Sequence, residues 1–180
     1  NCANVAWGQA GAPTAPDTRA QLVSPAAAYQ VVSMMEGVVQ RGTGRSIRSV
    51  GKTLAGKTGT TNDAFDTWFL GFSPDLAVGV YVGFDSPRTL GPSEQGASAA
   101  APIFRDFMDE ALQGTPAIPF RIPPGIQLVR INAETGTLAA FGDEQVILEA
   151  FRPGTAPQGE ALVLDFGMIA LDEAMRRGLY

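Results

Sequence analysis

The sequence predicts a fold of the α/β (α+β) class: an antiparallel sheet flanked by helices, with a small β-rich extension at the C-terminal end. Three observations carry that prediction. Two helical patterns, near residues 25–41 and 99–113, bracket three strand-like segments. The second and third of those segments are joined by Ser73-Pro74-Asp75, which is too short to connect anything but antiparallel strands. A Pro-rich stretch, TPAIPFRIPPG at 115–125, then marks a boundary before a series of short strands and turns.

Residues 1–23 are rich in Ala, Gly, Pro and Thr and read as irregular, with Trp7 as a packing anchor. Ser24-Pro25 supplies an N-cap and a first-turn proline for the first helix. Tyr29, Val32, Met35, Val38 and Val39 give it an apolar face, and Gly42 occupies the position after its end. GTGRSIRSVGK reads as an exposed, turn-rich connection. The first strand spans about 54–60, the second is DTWFLGF and the third LAVGVYVGF. In the third, Ala77, Gly79, Tyr81 and Gly83 alternate with larger apolar residues, so a helix is expected to pack on the small-residue face. Pro102 sits in the first turn of the second helix and Gly114 follows it. Beyond the Pro-rich stretch, IQLVRIN, TLAAF and QVILEAF read as strands separated by the turns AETG and GDE, with a last helix near 168–177. The expected units are therefore 1–114, a linker at 115–125, and an extension at 126–180.

Composition excludes several functions. The 180 residues are 45% hydrophobic and 17% charged, enough to build a core. A net charge of −5 without basic clusters argues against nucleic acid as a partner. With no histidine, neither Ser-His-Asp nor Cys-His catalysis can arise within this chain, and no His-containing metal site; no metal or cofactor is expected. Cys2 is the single cysteine, so no intrachain disulfide is possible. No apolar run approaches the roughly 18–20 residues that span a bilayer. The chain opens NCANVAWGQAG, with neither Met nor a signal pattern, as expected of a segment of a larger protein.

The chemistry concentrates in GKTLAGKTGTT, residues 51–61. Gly51, Gly56, Lys57 and Thr58 satisfy the phosphate-binding pattern G-x-x-x-x-G-K-[ST]. That pattern requires a helix starting at the Lys-Thr, whereas Gly59-Thr60-Thr61-Asn62-Asp63 follows: a helix breaker, two β-branched residues and a turn pair. The match is accidental. The same letters contain Lys-Thr-Gly, the third motif of the penicillin-interacting serine enzymes. On a strand beside a cleft, Lys57 presents an ammonium to a carboxylate-bearing substrate. Thr58 and Thr60 offer hydroxyls, Gly59 admits the substrate backbone, and the Thr60 N–H can form half of an oxyanion hole. Alternation places Lys57 and Gly59 on one face and Thr58 and Thr60 on the other, so strand twist or binding at the sheet edge is expected to bring them together. As three letters alone, Lys-Thr-Gly fits an ordinary hairpin strand with a surface lysine equally well.

The longer run AGKTGTTND followed by DTWFLGFSPDLAVGVYVGFD resembles the transpeptidase domain of class A, bifunctional penicillin-binding proteins. SPAAAYQVVSMMEGVVQRGTG resembles the same family's preceding helix and its Gly-Thr-Gly exit. The resemblance covers about residues 20–113 and implies an antiparallel sheet packed between helices, here incomplete. It implies a serine-type D,D-transpeptidase that cross-links the D-Ala-D-Ala stem peptides of peptidoglycan and is acylated by β-lactams. By the resemblance the catalytic residues are Lys57 and Thr60. The substrate-binding residues are then Thr58, Gly59, Thr60 and Thr61: the hydroxyls of Thr58 and Thr60 hold the substrate or β-lactam carboxylate, Gly59 lets the substrate backbone approach, and Thr61 lines the same cleft. The parent protein is expected at the periplasmic face of the bacterial inner membrane, with a glycosyltransferase unit and an anchor upstream.

One departure is plain. Ser49-Val50-Gly51-Lys52 matches Ser-x-x-Lys but lies in a glycine-flanked turn, and Ser73-Pro74-Asp75 only approximates the second motif, in the wrong place. Nucleophile, partner lysine and second serine are therefore expected in an upstream part of the same protein, leaving this chain inert by itself. A D,D-carboxypeptidase or β-lactamase relative, and a non-catalytic module binding peptide or β-lactam, are the alternatives. Of the strand aromatics Trp68 and Phe69, one is expected in the core. Asp66 reads as a solvated carboxylate at the start of a strand, with a supporting contact to Lys57 as the alternative.

Overall fold

The computed structural model describes residues 18, 20–158 and, for the backbone, 163–165. Cys2, Trp7 and the helix expected near 168–177 lie outside the described residues.

Helix α1 spans Pro25–Gln40. Ser24 caps it, its Oγ accepting the N–H of Ala27 at 3.2 Å, and Pro25 occupies the first helical position. The connection after it is less exposed than expected: Arg45–Val50 forms a 3₁₀ helix, and Ile47 and Val50 are buried. Residues three apart eclipse in a 3₁₀ helix, so these two apolar side chains face the core together while Arg and Ser face water.

Strands β1 (Ala55–Thr60), β2 (Thr67–Phe72) and β3 (Ala77–Val82) form an antiparallel sheet in the order β1-β2-β3. Ser73 Oγ accepts the N–H groups of Asp75 and Leu76, which closes the second hairpin and makes this serine a turn residue. The register pairs Thr58 with Phe69 and Thr60 with Thr67. One face thus carries Gly56, Thr58, Thr60, Phe69, Gly71, Val78 and Val80; the other carries Lys57, Gly59, Trp68, Leu70, Gly79 and Tyr81.

A wide π turn at Gly96–Ala100 leads into helix α2, Ala101–Ala111, which covers the first of these faces. The core there contains Val39, Ile47, Leu54, Phe69, Phe104 and Met108, with Val78, Val80 and Val82 packed against it. Among the described residues the helix lies on the valine face of β3, and the small-residue face expected to receive it is exposed. The glycines that permit close approach are in the neighbouring strands. A Cβ on Gly71 would lie 2.7 Å from the Phe104 ring, and one on Gly56 would lie 2.7 Å from the Phe69 ring. The Phe69 and Phe104 rings meet at 4.7 Å and 50°, a tilted contact.

The opposite face is open among the described residues. Trp68 and Tyr81 meet in a tilted contact, centroids 4.8 Å apart, and remain 41% and 50% exposed, beside Leu70 at 54%. Phe69 is the core aromatic of the pair and Trp68 the exposed one.

A second antiparallel sheet follows in the order β5-β4-β6, made of β4 (Gln127–Asn132), β5 (Val146–Phe151) and β6 (Val163–Asp165). TLAAF is not a full strand. Among the described residues its one ladder contact is Ile131 with Leu138, because β6 already occupies the same edge of β4 at residues 127–129. This sheet touches α1 through Gln30 Nε2, which donates to Ala150 O at 2.9 Å, and through Arg41 and Glu149 at 2.7 Å.

Candidate active site

Strand β1 is an edge strand: β2 pairs with one side of it, and among the described residues no strand pairs with the other. The N–H of Thr61 donates to Asp66 O across the hairpin at 3.0 Å. Successive backbone groups of an extended strand point to opposite sides, so the N–H and C=O groups of Thr58 and Thr60 face the unpaired edge. Lys57 starts from the opposite face, yet its Nζ reaches round to donate to Thr58 O at 3.0 Å and stands 3.5 Å from Thr58 Oγ1. The ammonium of Lys57, the hydroxyl of Thr58 and the N–H of Thr60 are therefore arrayed along one edge.

The remaining threonines are held in place by neighbouring loops. Thr60 Oγ1 accepts the N–H of Gly96 at 3.0 Å. Thr61 Oγ1 accepts the N–H of Asp66 at 2.8 Å and faces Asp66 O at 3.3 Å, so Thr61 clasps the β1–β2 loop shut. Inside that loop Asp63 and Ala64 both take left-handed backbone angles, φ 58° and 51°. Gly59 faces Trp68, where an added Cβ would lie 3.2 Å from Trp68 Cβ. Thr60 opens onto a hollow of about 720 Å³, walled by Asp63, Phe65, Thr89, Glu94 and Gln95.

Asp66 lies near the site in sequence but is engaged elsewhere, accepting the hydroxyl of Tyr81 on Oδ1 at 2.8 Å. That hydrogen bond is the chief reason the Tyr81 phenol is raised above its ordinary value, with desolvation and the charges of Asp66 and Asp85 adding to it. On α1, burial raises the Glu36 carboxyl, and the charge of Arg41 partly offsets the shift.

The Ser-x-x-Lys look-alike is not assembled. Ser49 Oγ donates to Ser46 O at 3.0 Å, while Lys52 Nζ is bound to the carbonyl of Thr115. Among the described residues no serine hydroxyl is hydrogen-bonded to a lysine amine, the arrangement that activates such a nucleophile.

The family model for the penicillin binding protein transpeptidase domain matches residues 12–109, more than half of the chain. The chain belongs to the penicillin-binding protein transpeptidase family. It is 46% identical over 124 residues to penicillin-binding protein 1A of Rickettsia bellii, covering 69% of this chain and 15% of that protein. It is 41% identical over 143 residues to penicillin-binding protein 1A of Pseudomonas aeruginosa, covering 79% and 17%. The crystal structure of penicillin-binding protein 1A from Haemophilus influenzae superposes with a TM-score of 0.67 at 33% identity, over 78% of this chain and 22% of that one. The chain thus spans about a sixth of the length of these curated relatives. Its fold is an incomplete version of the penicillin-binding protein α/β fold. No helix among the described residues is long and apolar enough to cross a membrane.

Two residues of the site escaped sequence reasoning. Gly96 lies 36 residues beyond Thr60, and nothing in the string GASAAAPIF that it opens announces its contact. Thr43 lies 3.0 Å from Thr58, oxygen to oxygen; its signal was the glycine on either side of it.

Proposed function

We propose that this chain supplies the substrate-binding strand and one oxyanion donor of a peptidoglycan D,D-transpeptidase. The observation that carries the reading is the unpaired edge of β1, with the Lys57 ammonium, the Thr58 hydroxyl and the Thr60 N–H along it. In the proposed reaction a serine oxygen from another part of the protein attacks the carbonyl of the penultimate D-alanine. The C–N bond to the terminal D-alanine breaks, that residue leaves, and an amine on a second stem peptide displaces the serine. A β-lactam acylates the same serine. Lys57 and the hydroxyls of Thr58 and Thr60 receive the substrate carboxylate, Gly59 lacks a Cβ and lets the substrate backbone approach, and Thr61 stands beside them as the clasp of the loop. The Thr60 N–H stabilises the oxyanion, a contribution of about 3–4 kcal/mol for one donor.

The exposed Trp68, Leu70 and Tyr81 face fits a chain that packs against further parts of its parent protein. In this reading that parent also carries a glycosyltransferase unit and a membrane anchor and works at the periplasmic face of the inner membrane. Residues 1–114 belong to the transpeptidase domain, 115–125 form a linker and 126–180 an extension.

A fluorescent penicillin tests the proposal. The complete protein is expected to label covalently and the isolated chain to remain unlabelled. In the complete protein, Lys57→Ala and Thr60→Val should each slow acylation substantially. Unchanged rates in both variants would mean the site is elsewhere, and labelling at Ser49 in the isolated chain would overturn the assignment of the nucleophile to another segment.

A further inference from the structure

The turn that follows α1 brings one more hydroxyl to the β1 edge. The N–H groups of Gly42 and Gly44 both donate to Val38 O, at 3.1 and 3.0 Å, winding this turn tightly onto the helix end. Neither flank has comfortable room for a side chain: an added Cβ would lie 2.9 Å from Val38 Cα at Gly42 and 3.3 Å from Val38 O at Gly44. Gly-Thr-Gly is thus a tight mount with a single side chain, and Thr43 Oγ1 stands 3.0 Å from Thr58 Oγ1.

A hydroxyl has one hydrogen to donate and two lone pairs to accept with, whereas an ammonium only donates. Thr58 Oγ1 faces the ammonium of Lys57 at 3.5 Å and the hydroxyl of Thr43 at 3.0 Å. When both donate, the lone pairs of Thr58 are occupied and its own hydrogen is left for a ligand. The reverse polarity would spend that hydrogen on Thr43 and turn a lone pair towards an anion. We propose that Thr43 is a positioning residue: it donates to Thr58 and so directs the Thr58 hydroxyl hydrogen at the carboxylate of the substrate or β-lactam. This rests on the function proposed above and adds to it a residue whose only task is to orient another.

The test uses the complete protein that carries this chain and compares acylation by benzylpenicillin with acylation by its methyl ester, in which the carboxylate charge is gone. Thr43→Val is expected to slow acylation by the acid about two- to tenfold, the range for one lost hydrogen bond between neutral groups, and to leave the ester rate unchanged. Thr43→Ser should restore the acid rate, and Thr43→Val should add nothing in a Thr58→Val background. The proposal is overturned when Thr43→Val leaves the acid rate intact, slows acid and ester equally, or slows Thr58→Val further. Thr43→Ala gives the same readings from a smaller side chain if the valine variant does not fold. Should Thr58→Val and Thr60→Val also fail to separate acid from ester, the carboxylate role of the whole edge falls. Should they separate the two while Thr43→Val does not, only the role of Thr43 falls.

Discussion

Gly96→Ala is the substitution whose cost the structure fixes best. A Cβ at this position would lie 2.6 Å from Trp68 O, 2.7 Å from Gly59 O and 3.1 Å from Gly59 N. All three are backbone atoms of the β1–β2 pair, so no side chain can swing aside. Either the π turn lifts or the ladder bends. Overpacking of this kind costs about 1–3 kcal/mol. Lifting the turn also opens the hydrogen bond from Gly96 N–H to Thr60 Oγ1, worth roughly 0.5–1.5 kcal/mol. The sum is about 1.5–4.5 kcal/mol, read as a lower urea midpoint at unchanged slope. Because the displaced backbone includes Gly59 and the freed hydroxyl is that of Thr60, β-lactam acylation of the complete protein should slow as well. Gly125→Ala is the control. That position has φ +84° and no atom within 4 Å, so it should lose about 1–2 kcal/mol through backbone strain and leave acylation untouched. A Gly96→Ala protein with the wild-type midpoint and acylation rate would refute the contact between the π turn and β1.

Two further outcomes follow from the titrating groups. The raised carboxyl of Glu36 means that the folded state holds a proton more tightly than the unfolded one, so its contribution becomes unfavourable as pH rises from the ordinary carboxylate range through the raised value. Glu36→Gln should therefore stabilise at neutral pH and make no difference in strong acid; equal stability at neutral pH would contradict the burial assigned to Glu36. Asp66→Ala removes the acceptor, the chief cause of the Tyr81 shift, together with its charge, and should bring the phenol back towards its ordinary titration, followed by ultraviolet absorbance. A titration unmoved by the substitution would show that the Tyr81–Asp66 hydrogen bond is not the cause.

Legibility in the sequence tracked how local each signal was. The cap at Ser24-Pro25 and the Ser73-Pro74-Asp75 turn are short-range devices, and the structure has helix and hairpin where they predict them. The placement of α2 is not legible in β3, because alternation there identifies two faces without saying which one meets a helix. The deciding residues were Gly56 and Gly71, on strands whose register no local pattern reveals. Ile47 and Val50 could have been read as a buried pair by their spacing of three, but the arginines and serines around them favour an exposed connection. TLAAF has strand-forming residues; competition with β6 for one edge of β4 shortened it. At the site, Lys-Thr-Gly-Thr gave the residue types and their alternation. The return of Lys57 to the Thr58 edge and the anchoring of Thr60 by Gly96 depend on tertiary contacts.

A crystal structure of the complete protein acylated by a β-lactam tests the edge of β1 most directly. The acyl carbonyl oxygen should sit about 2.7–3.1 Å from the N–H nitrogen of Thr60, with the ligand carboxylate on the hydroxyls of Thr58 and Thr60. An adduct whose carbonyl oxygen and carboxylate both lie away from residues 57–60 would contradict it.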